Sequence, residues 1–220
     1  VEVPERVAVD GSIIKPLDEN ITRRGLKVAY NDGIRAIAIV LVHGFKFHDH
    51  ESRVAAIALE IGFTQISVSH QVSPMIKLVS RGDTAVVDAY LSPILRRYVD
   101  KIASELQNHK EKTETRLMFM QSNGGLTDAN RFQGKDAILS GPAGGVVGMA
   151  RTAEIAGFEK TIGFDMGGTS TDVSHFNGEF ERNFETMVAG IRLRAPMMHI
   201  HTVAAGGGSI LHFDGSRYRV

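Results

Sequence analysis

Residues 161–176 read TIGFDMGGTSTDVSHF, two short runs joined through a glycine pair. Few backbones accept that order. In the first run Ile162, Phe164 and Met166 alternate with Thr161, Gly163 and Asp165, the period of a strand with two unlike faces. Asp165 then lies opposite the apolar trio. Gly167 and Gly168 supply the bend, and the second run returns as a partner strand, so the stretch reads as a hairpin. Without a Cβ the bend lets a ligand approach the backbone, and successive N–H groups can line an anion. Thr169, Ser170 and Thr171 add hydroxyl donors. Asp165 and Asp172 cannot bind a phosphate themselves, but they can hold magnesium or its waters against phosphate oxygens. A P-loop needs a lysine and a following helix, and both are missing here. The pattern points to a hairpin that grips phosphate from its tip.

Composition narrows what such a hairpin serves. The 220 residues suit one large domain or two small ones. A formal net charge of zero gives no reason to expect nucleic acid or an anionic membrane as partner. The absence of cysteine excludes disulfides, thiolate metal sites and thiol nucleophiles, and it is compatible with the cytoplasmic location expected here. The opening VEVPERVAVDG shows no basic start followed by an apolar core, so no signal peptide is expected. The longest apolar run, residues 34–42, is interrupted by Arg35 and is too short to span a bilayer. No Ser-His-Asp arrangement can be argued from spacing.

Along the chain, residues 1–19 read as two short strands around Asp10-Gly11 with an exit at Pro16, and ITRRGLKVAYNDG as a short helix. IRAIAIVLVHG is a buried parallel strand, followed by a helix capped by Asp49 or Ser52 and closing at Gly62. FTQISVSHQVSP is a second strand. Asp83 caps a helix running to Lys110, with Val86, Ala89, Tyr90, Ile94, Leu95, Tyr98, Ile102 and Leu106 on one stripe and Pro93 kinking or splitting it. RLMFMQSNGGL is a third strand. SGPAGGVVGMARTAEIAG is a helix with Ser140 as cap and Pro142 in its first turn. From Thr161 onward the pattern is of meandering hairpins. Strand–helix alternation gives an α/β fold with a parallel or mixed sheet, ending in a β-rich region. Both ends look cut, so the chain is expected to be a fragment.

DMGGTSTDVS resembles the second phosphate hairpin of the actin, sugar-kinase and heat-shock-chaperone ATPase superfamily, whose fold is ribonuclease H-like. SNGGL, LSGPAGGVVG, IGFDMGGTSTDVS and HTVAAGGGSI occur in the order seen in the hydantoinase A and 5-oxoprolinase family. RGDTAVVDAYLSPILRRYV and APMMHIHTVAAGGGSILHFDG resemble the 5-oxoprolinase branch. The resemblance implies a central fragment of an actin-like ATPase. Residues 1–157 would end the first half, including the connecting helix, and residues 158–220 would begin the second. It also implies ATP and magnesium as cofactors and opening of 5-oxo-L-proline or a hydantoin through phosphorylation of the amide oxygen. Partners would be the small cyclic amide, the remainder of the parent chain and a hydantoinase B-type subunit or domain. The isolated fragment is expected to be inactive. Asp165 and Asp172 would organise magnesium or attacking water; Gly167, Gly168, Thr169 and Ser170 would contact phosphate. Gly144 and Gly145 would let the connecting helix pack closely at the cleft floor. N-methylhydantoinases and ketone-carboxylase subunits use the same motifs, and a non-catalytic actin- or chaperone-like ATP module is the reading from another class. The family often has Ser-x-Glu where this sequence reads SHQ: if that Glu is an acid or base, Gln71 does not carry the role over, and if it only makes hydrogen bonds, Gln71 could replace it.

Other candidates have plainer readings. His199 and His201 in MMHIHTV would share one strand face, a spacing that suits metal as well as a solvated surface. His48 and His50 in FKFHDHES sit where a strand hands over to a helix, which favours loop and cap roles. Gly206, Gly207 and Gly208 read as a flexible or close-packed turn near the cleft, with or without direct ligand contact. SNGGLTD is a plain turn or a loop presenting backbone to substrate.

Overall fold

The computed structural model describes residues 1–107, 116–188 and 190–220. The chain divides into two compact units. The first comprises Val1–Leu117, Asp128–Ala137 and Glu185–Ala195, and the second comprises Met118–Thr127, Ile138–Phe184 and Pro196–Val220. Each is built around its own small sheets.

The first unit opens with β1 (Arg6–Val7) and β2 (Ile13–Lys15), antiparallel around Asp10 and Gly11. Asp10 accepts from the backbone and hydroxyl of Ser12, which closes the turn. Helix α1 (Glu19–Asn31) is capped by Asp18, whose carboxylate accepts from Ile21 N at 2.9 Å. Strands β3 (Ala36–Ile39) and β4 (Gln65–Val68) pair in parallel and are joined by α2 (Asp49–Ile61), as the apolar runs predict. Ile39, Val54, Ile57, Ala58, Phe63, Val68 and Leu26 form the buried core of this βαβ layer. Each larger aliphatic side chain there contributes about 1.5–3 kcal/mol. Gly62 stops α2 in the left-handed conformation. Neither Asp49 nor Ser52 caps α2: His48 occupies the cap position without a side-chain bond, and Asp49 is already helical.

After β4 the chain turns through α3 (Ser69–Val72) into α4 (Leu78–Gln107). The expected extension to residues 108–110 lies outside the described residues. Helix α4 begins before Asp83, which is therefore inside it, and continues through Pro93 without being split. Its inward face is also not the expected one. Ser80, Arg81, Thr84, Ala85, Asp88, Ala89, Ser92 and Val99 are buried, whereas Val86, Tyr90, Ile94 and Tyr98 are more than half exposed. The polar inward positions are tied down individually. Asp88 accepts from Ser67 Oγ at 2.7 Å and from Lys135 N at 3.0 Å. Ser92 Oγ accepts from Gly134 N.

The most heavily bonded group of the first unit is Glu51, which is fully buried on the first turn of α2. Its carboxylate accepts from Leu41 N (2.8 Å), Ser69 Oγ (2.6 Å), His70 N (3.1 Å) and His70 Nδ1 (2.7 Å). Arg81, also fully buried, donates to Ser69 Oγ at 2.8 Å and to the carbonyls of Leu41 and Met75. Burial pushes the Arg81 pKa down, and the charge of Glu51 opposes that shift. A Cβ at Gly44 would collide with the Glu51 carboxylate, so this glycine makes room for it.

The chain then builds β5 (Met118–Met120) and β6 (Leu126–Asp128) as a two-stranded sheet apart from β3–β4. The third strand therefore does not extend the parallel pair. Helix α5 (Gly134–Ala137) belongs to the first unit and α6 (Ser140–Ile155) to the second. Pro142 sits in the first turn of α6, but Leu139 at φ +61° precedes it and Ser140 does not cap. Strands β7 (Lys160–Met166), β8 (Thr171–Asn177) and β9 (Arg182–Asn183) follow in the second unit. The antiparallel pair β10 (Thr186–Val188) and β11 (Ile191–Leu193) lies in the first unit, where Arg194 N donates to Thr84 Oγ1 at 2.9 Å. Strands β12 (Met197–Met198), β13 (His201–Val203), β14 (His212–Phe213) and β15 (Tyr218–Arg219) return to the second. All the pairings after Thr161 are antiparallel, as the hairpin pattern predicts.

Removing Glu51 leaves Arg81 as a buried charge with its nearest anion gone. Glu51→Ala is expected to lower stability by about 3–5 kcal/mol in chemical denaturation. A loss under about 1 kcal/mol would show that the network is not holding the strand ends together.

Candidate functional site

Strands β7 and β8 form the predicted hairpin, with Lys160 opposite Asn177, Asp165 opposite Asp172 and Met166 opposite Thr171. Strand β13 continues the sheet on the other edge of β8, placing Thr202 beside Asp172 and Val203 beside Thr171. The alternation read from the sequence holds. Thr161 and Gly163 face Met149 of α6, and Asp165 faces Gly145, whose Cβ position lies 3.9 Å from the carboxylate. The apolar face is not buried in this chain: Ile162 is 74%, Phe164 66% and Met166 54% exposed. The covered face is the polar one, because α6 lies on that side.

A groove of about 320 Å³ runs along this covered face, lined by Gly145, Met149, Gly163, Asp165, Asp172 and Ser174 among others. Gly144 and Gly145 are less demanding than expected. An added Cβ would stand at ordinary contact distance from Met120 or Asp165, so neither glycine is required by close packing within the unit.

The bend is held by a second strip of glycines. Gly167 N donates to Ser170 O at 2.9 Å and closes the turn. Gly207 N donates to Gly167 O at 2.9 Å and Gly208 N to Gly168 O at 2.8 Å. A Cβ at Gly206 would lie 2.5 Å from Gly167 O and 2.9 Å from Ser170 N, so only glycine fits there. Of the two readings of the 206–208 run, the structure takes the close-packed turn. Thr171 Oγ1 donates to Ala205 O at 2.7 Å, which commits that hydroxyl to the scaffold. Gly168 itself has neither a positive φ nor any atom within 4 Å of its Cβ position. None of the described residues requires a glycine at that place; the bare side of the bend opens outward. The N–H groups of Gly168, Thr169 and Ser170 make no hydrogen bond among the described residues, nor do the Thr169 and Ser170 hydroxyls.

Asp165 and Asp172 are direct cross-strand neighbours, and like charges in that position repel. Asp172 Oδ1 accepts from Thr202 Oγ1 at 2.6 Å, a contact that needs β13 and was not legible in the sequence. Neither aspartate belongs to a cluster of three or more metal-ligating side chains among the described residues. Two hard carboxylates beside unspent backbone N–H groups fit magnesium, which takes one or two carboxylates and completes its shell with water and phosphate oxygens.

The histidine candidates separate. His199 precedes β13 rather than sharing a strand with His201, and its Nδ1 meets Glu181 Oε2 at 3.3 Å. His175 Nδ1 meets Glu181 Oε1 at 2.8 Å. Glu181 thus bridges two imidazoles, and no metal-ligand cluster forms around the pair at 199 and 201 among the described residues. The SNGG turn is braced from within the second unit. Gly124 takes φ +81°, Met198 N donates to Ser122 O, and Arg182 Nε donates to Asn123 O.

Residues 81–220 match the model of the hydantoinase/oxoprolinase family, and residues 1–62 match that of the hydantoinase/oxoprolinase N-terminal region. The chain belongs to the hydantoinase/oxoprolinase family. Among its relatives, the 5-oxoprolinase of Saccharomyces cerevisiae is 49% identical over 94% of this chain and 16% of its own length. Arabidopsis thaliana 5-oxoprolinase 1 is 46% identical with the same coverages. The chain therefore spans about 16% of the length of these relatives. The crystal structure of the ATP-dependent caprolactamase from Pseudomonas jessenii superposes with a TM-score of 0.85 at 31% identity, covering 97% of this chain and 31% of that one. Nucleotide-free acetone carboxylase superposes at 0.82 with 27% identity and the same coverages. Among the described residues of this family member no helix is long and apolar enough to cross a membrane.

Two measurements check the site. Gly206→Ala is expected to destabilise the second unit by about 1–3 kcal/mol and to speed amide exchange at Gly207 and Gly208; unchanged exchange would refute the docked-glycine account. The bonds from His175 and His199 hold the Glu181 carboxyl below its ordinary 4.5. A depressed carboxylate stabilises the fold above its unfolded pKa, and that stabilisation is lost as pH falls through the folded value. His175→Gln should therefore raise the Glu181 pKa, read by carboxyl NMR titration below pH 5. No movement would show that the bond is not made.

Proposed function

We propose that this chain is part of a longer ATP-dependent cyclic amidohydrolase, and that 5-oxo-L-proline or a hydantoin is the ring it opens. The observation that carries the reading is the outward-facing bend at residues 167–170 beside two opposed carboxylates, in a chain of a family whose relatives include 5-oxoprolinases. Residues 1–157 would complete the first half of an actin-like fold and residues 158–220 would begin the second. A hydantoinase B-type subunit or domain fits the name of a further relative, caprolactamase subunit alpha of Pseudomonas jessenii, 34% identical over 95% of this chain.

A lactam carbonyl is a poor electrophile. Transfer of the γ-phosphoryl group to its oxygen creates a good leaving group, after which water can attack the ring carbon. Such transfer needs mainly positioning and charge neutralisation. The N–H groups of Gly168, Thr169 and Ser170 would orient the phosphate oxygens. The Thr169 and Ser170 hydroxyls would add donors, and Gly167 would shape the bend through its bond to Ser170 O. Asp165 and Asp172 would hold magnesium, which supplies neutralisation of phosphate charge when bound. Thr202 keeps the Asp172 carboxylate in place. Gly145 leaves the groove open in front of Asp165.

The superposition with acetone carboxylase favours a second reading, a ketone-carboxylase subunit working through the same phosphoryl transfer. ADP release by the full-length protein separates the two: stimulation by 5-oxoproline or a hydantoin supports the first, and stimulation by a ketone with bicarbonate supports the second. ATP turnover indifferent to every cyclic amide would end the amidohydrolase reading. Asp165→Asn in the full-length protein should lower amide-dependent turnover at least about 100-fold. Its melting temperature should change little, because Asp165 is exposed and makes no ion pair among the described residues. Unchanged turnover would refute its assigned role.

A further inference from the structure

The second unit contains two Asn-Gly pairs, Asn123-Gly124 and Asn177-Gly178, and the structure treats them oppositely. Asparagine before glycine carries a reaction of its own. The next residue's backbone nitrogen can reach the side-chain carbonyl carbon through a five-membered ring, and a glycine there puts no Cβ in the way. Whether the reaction runs depends on whether that nitrogen and the amide are free to meet.

At Asn123 both are tied. Gly124 N donates to Gln121 O at 2.9 Å, Asn123 Oδ1 accepts from Gly125 N at 2.7 Å, and Arg182 Nε donates to Asn123 O at 2.9 Å. A Cβ at Gly124 would run into Met198, so the turn is packed as well as bonded. At Asn177 none of this holds. The residue is the exposed last position of β8, and neither its side-chain amide nor Gly178 N makes a hydrogen bond among the described residues. Gly178 takes φ +83° and has nothing within 4 Å of its Cβ position. The pair lines an open cavity of about 480 Å³, which gives room for the ring to form and for water to enter. Phe176 and Phe180 hold the two ends of the turn, with ring centroids 5.2 Å apart, and leave the Gly178 backbone between them unpinned.

We propose that Asn177 is a site of self-modification, where the chain exchanges a side-chain amide for a carboxylate without an enzyme. Gly178 N, having given its proton to solvent, attacks Asn177 Cγ. The new C–N bond closes a succinimide, and the bond to the side-chain nitrogen breaks as that nitrogen leaves in ammonia. Water then opens the ring at one of its two carbonyls. Opening at one returns an aspartate. Opening at the other leaves an isoaspartate, whose backbone runs through the former side chain. The sum is amide plus water giving acid plus ammonia. Asn177 stands opposite Lys160 in the ladder, so an aspartate there gains a cross-strand partner of opposite charge. An isoaspartate instead adds an atom to the backbone and disturbs the end of β8. The inference is independent of the amidohydrolase reading.

The test uses the full-length protein, aged in neutral and in mildly alkaline buffer and then digested for peptide mass spectrometry. The peptide containing Asn177 should gain the mass of an amide-to-acid exchange and resolve into two products by chromatography. Conversion should be faster in the alkaline buffer, because the attacking nitrogen must lose its proton. Asn123 is the internal control and should convert at least about tenfold more slowly, since its turn must first open. Unfolding in denaturant should abolish that difference. Asn177→Gln, which would need a larger ring, should remove the change from that peptide. An Asn177 amide that survives in the folded protein while the unfolded chain loses it overturns the inference. So does equal conversion at the two pairs in the folded protein.

Discussion

Backbone meets backbone without intervening side chains where Gly207 and Gly208 donate to the carbonyls of Gly167 and Gly168. Much of the second unit's candidate site follows from that contact. It brings β13 into register with β8, which sets Thr202 against Asp172 and Thr171 against Ala205. It also holds the bend from behind, leaving the N–H groups of residues 168–170 facing outward. A bend held only by its own turn bond would sample many shapes, and ordering it would oppose any ligand. Glycine at 206 is the condition for this contact, since any Cβ there meets the Gly167 carbonyl.

The first unit uses a different device toward a similar end. There a carboxylate, not backbone, gathers the loops at the strand ends. Glu51 draws Leu41, Ser69 and His70 to one point, and Arg81 ties the same loops through the Leu41 and Met75 carbonyls. Removing such charges from water is expensive unless every oxygen finds a donor. Glu51 meets that condition with four bonds, and the polar, small-sided buried face of α4 joins the network through Arg81. The apolar ridge of Val86, Tyr90, Ile94 and Tyr98 points outward, and the inward positions carry Arg81, Thr84, Asp88 and Ser92.

Much of the local structure was legible in the amino acids. The turns at Gly11 and Gly62, the parallel β3–β4 pair and the β7–β8 hairpin all follow from residue types acting on their near neighbours. The stripe on α4 and the caps at Asp49, Asp83 and Ser140 were judged from local periodicity or propensity, whereas the buried face of α4 is tied to residues far away in sequence. Helix α4 continues through Pro93, and Asp88 and Ser92, in the turn before it, are bonded to Lys135 N and Gly134 N, far away in sequence.

The same division holds for the site. Alternation alone determined that Asp165 lies opposite Ile162, Phe164 and Met166, since a strand's side chains change face at every residue. The order of motifs alone placed the chain in its family. Only the tertiary structure decided which face is covered, that Thr171 is spent on Ala205, that Thr202 steadies Asp172, and that His199 and His201 serve different surroundings. It alone also brought Glu51 to His70. Hydrogen bonds between residues far apart in sequence depend on sheet register and helix placement, and neither leaves a periodic trace in the chain that must adopt it.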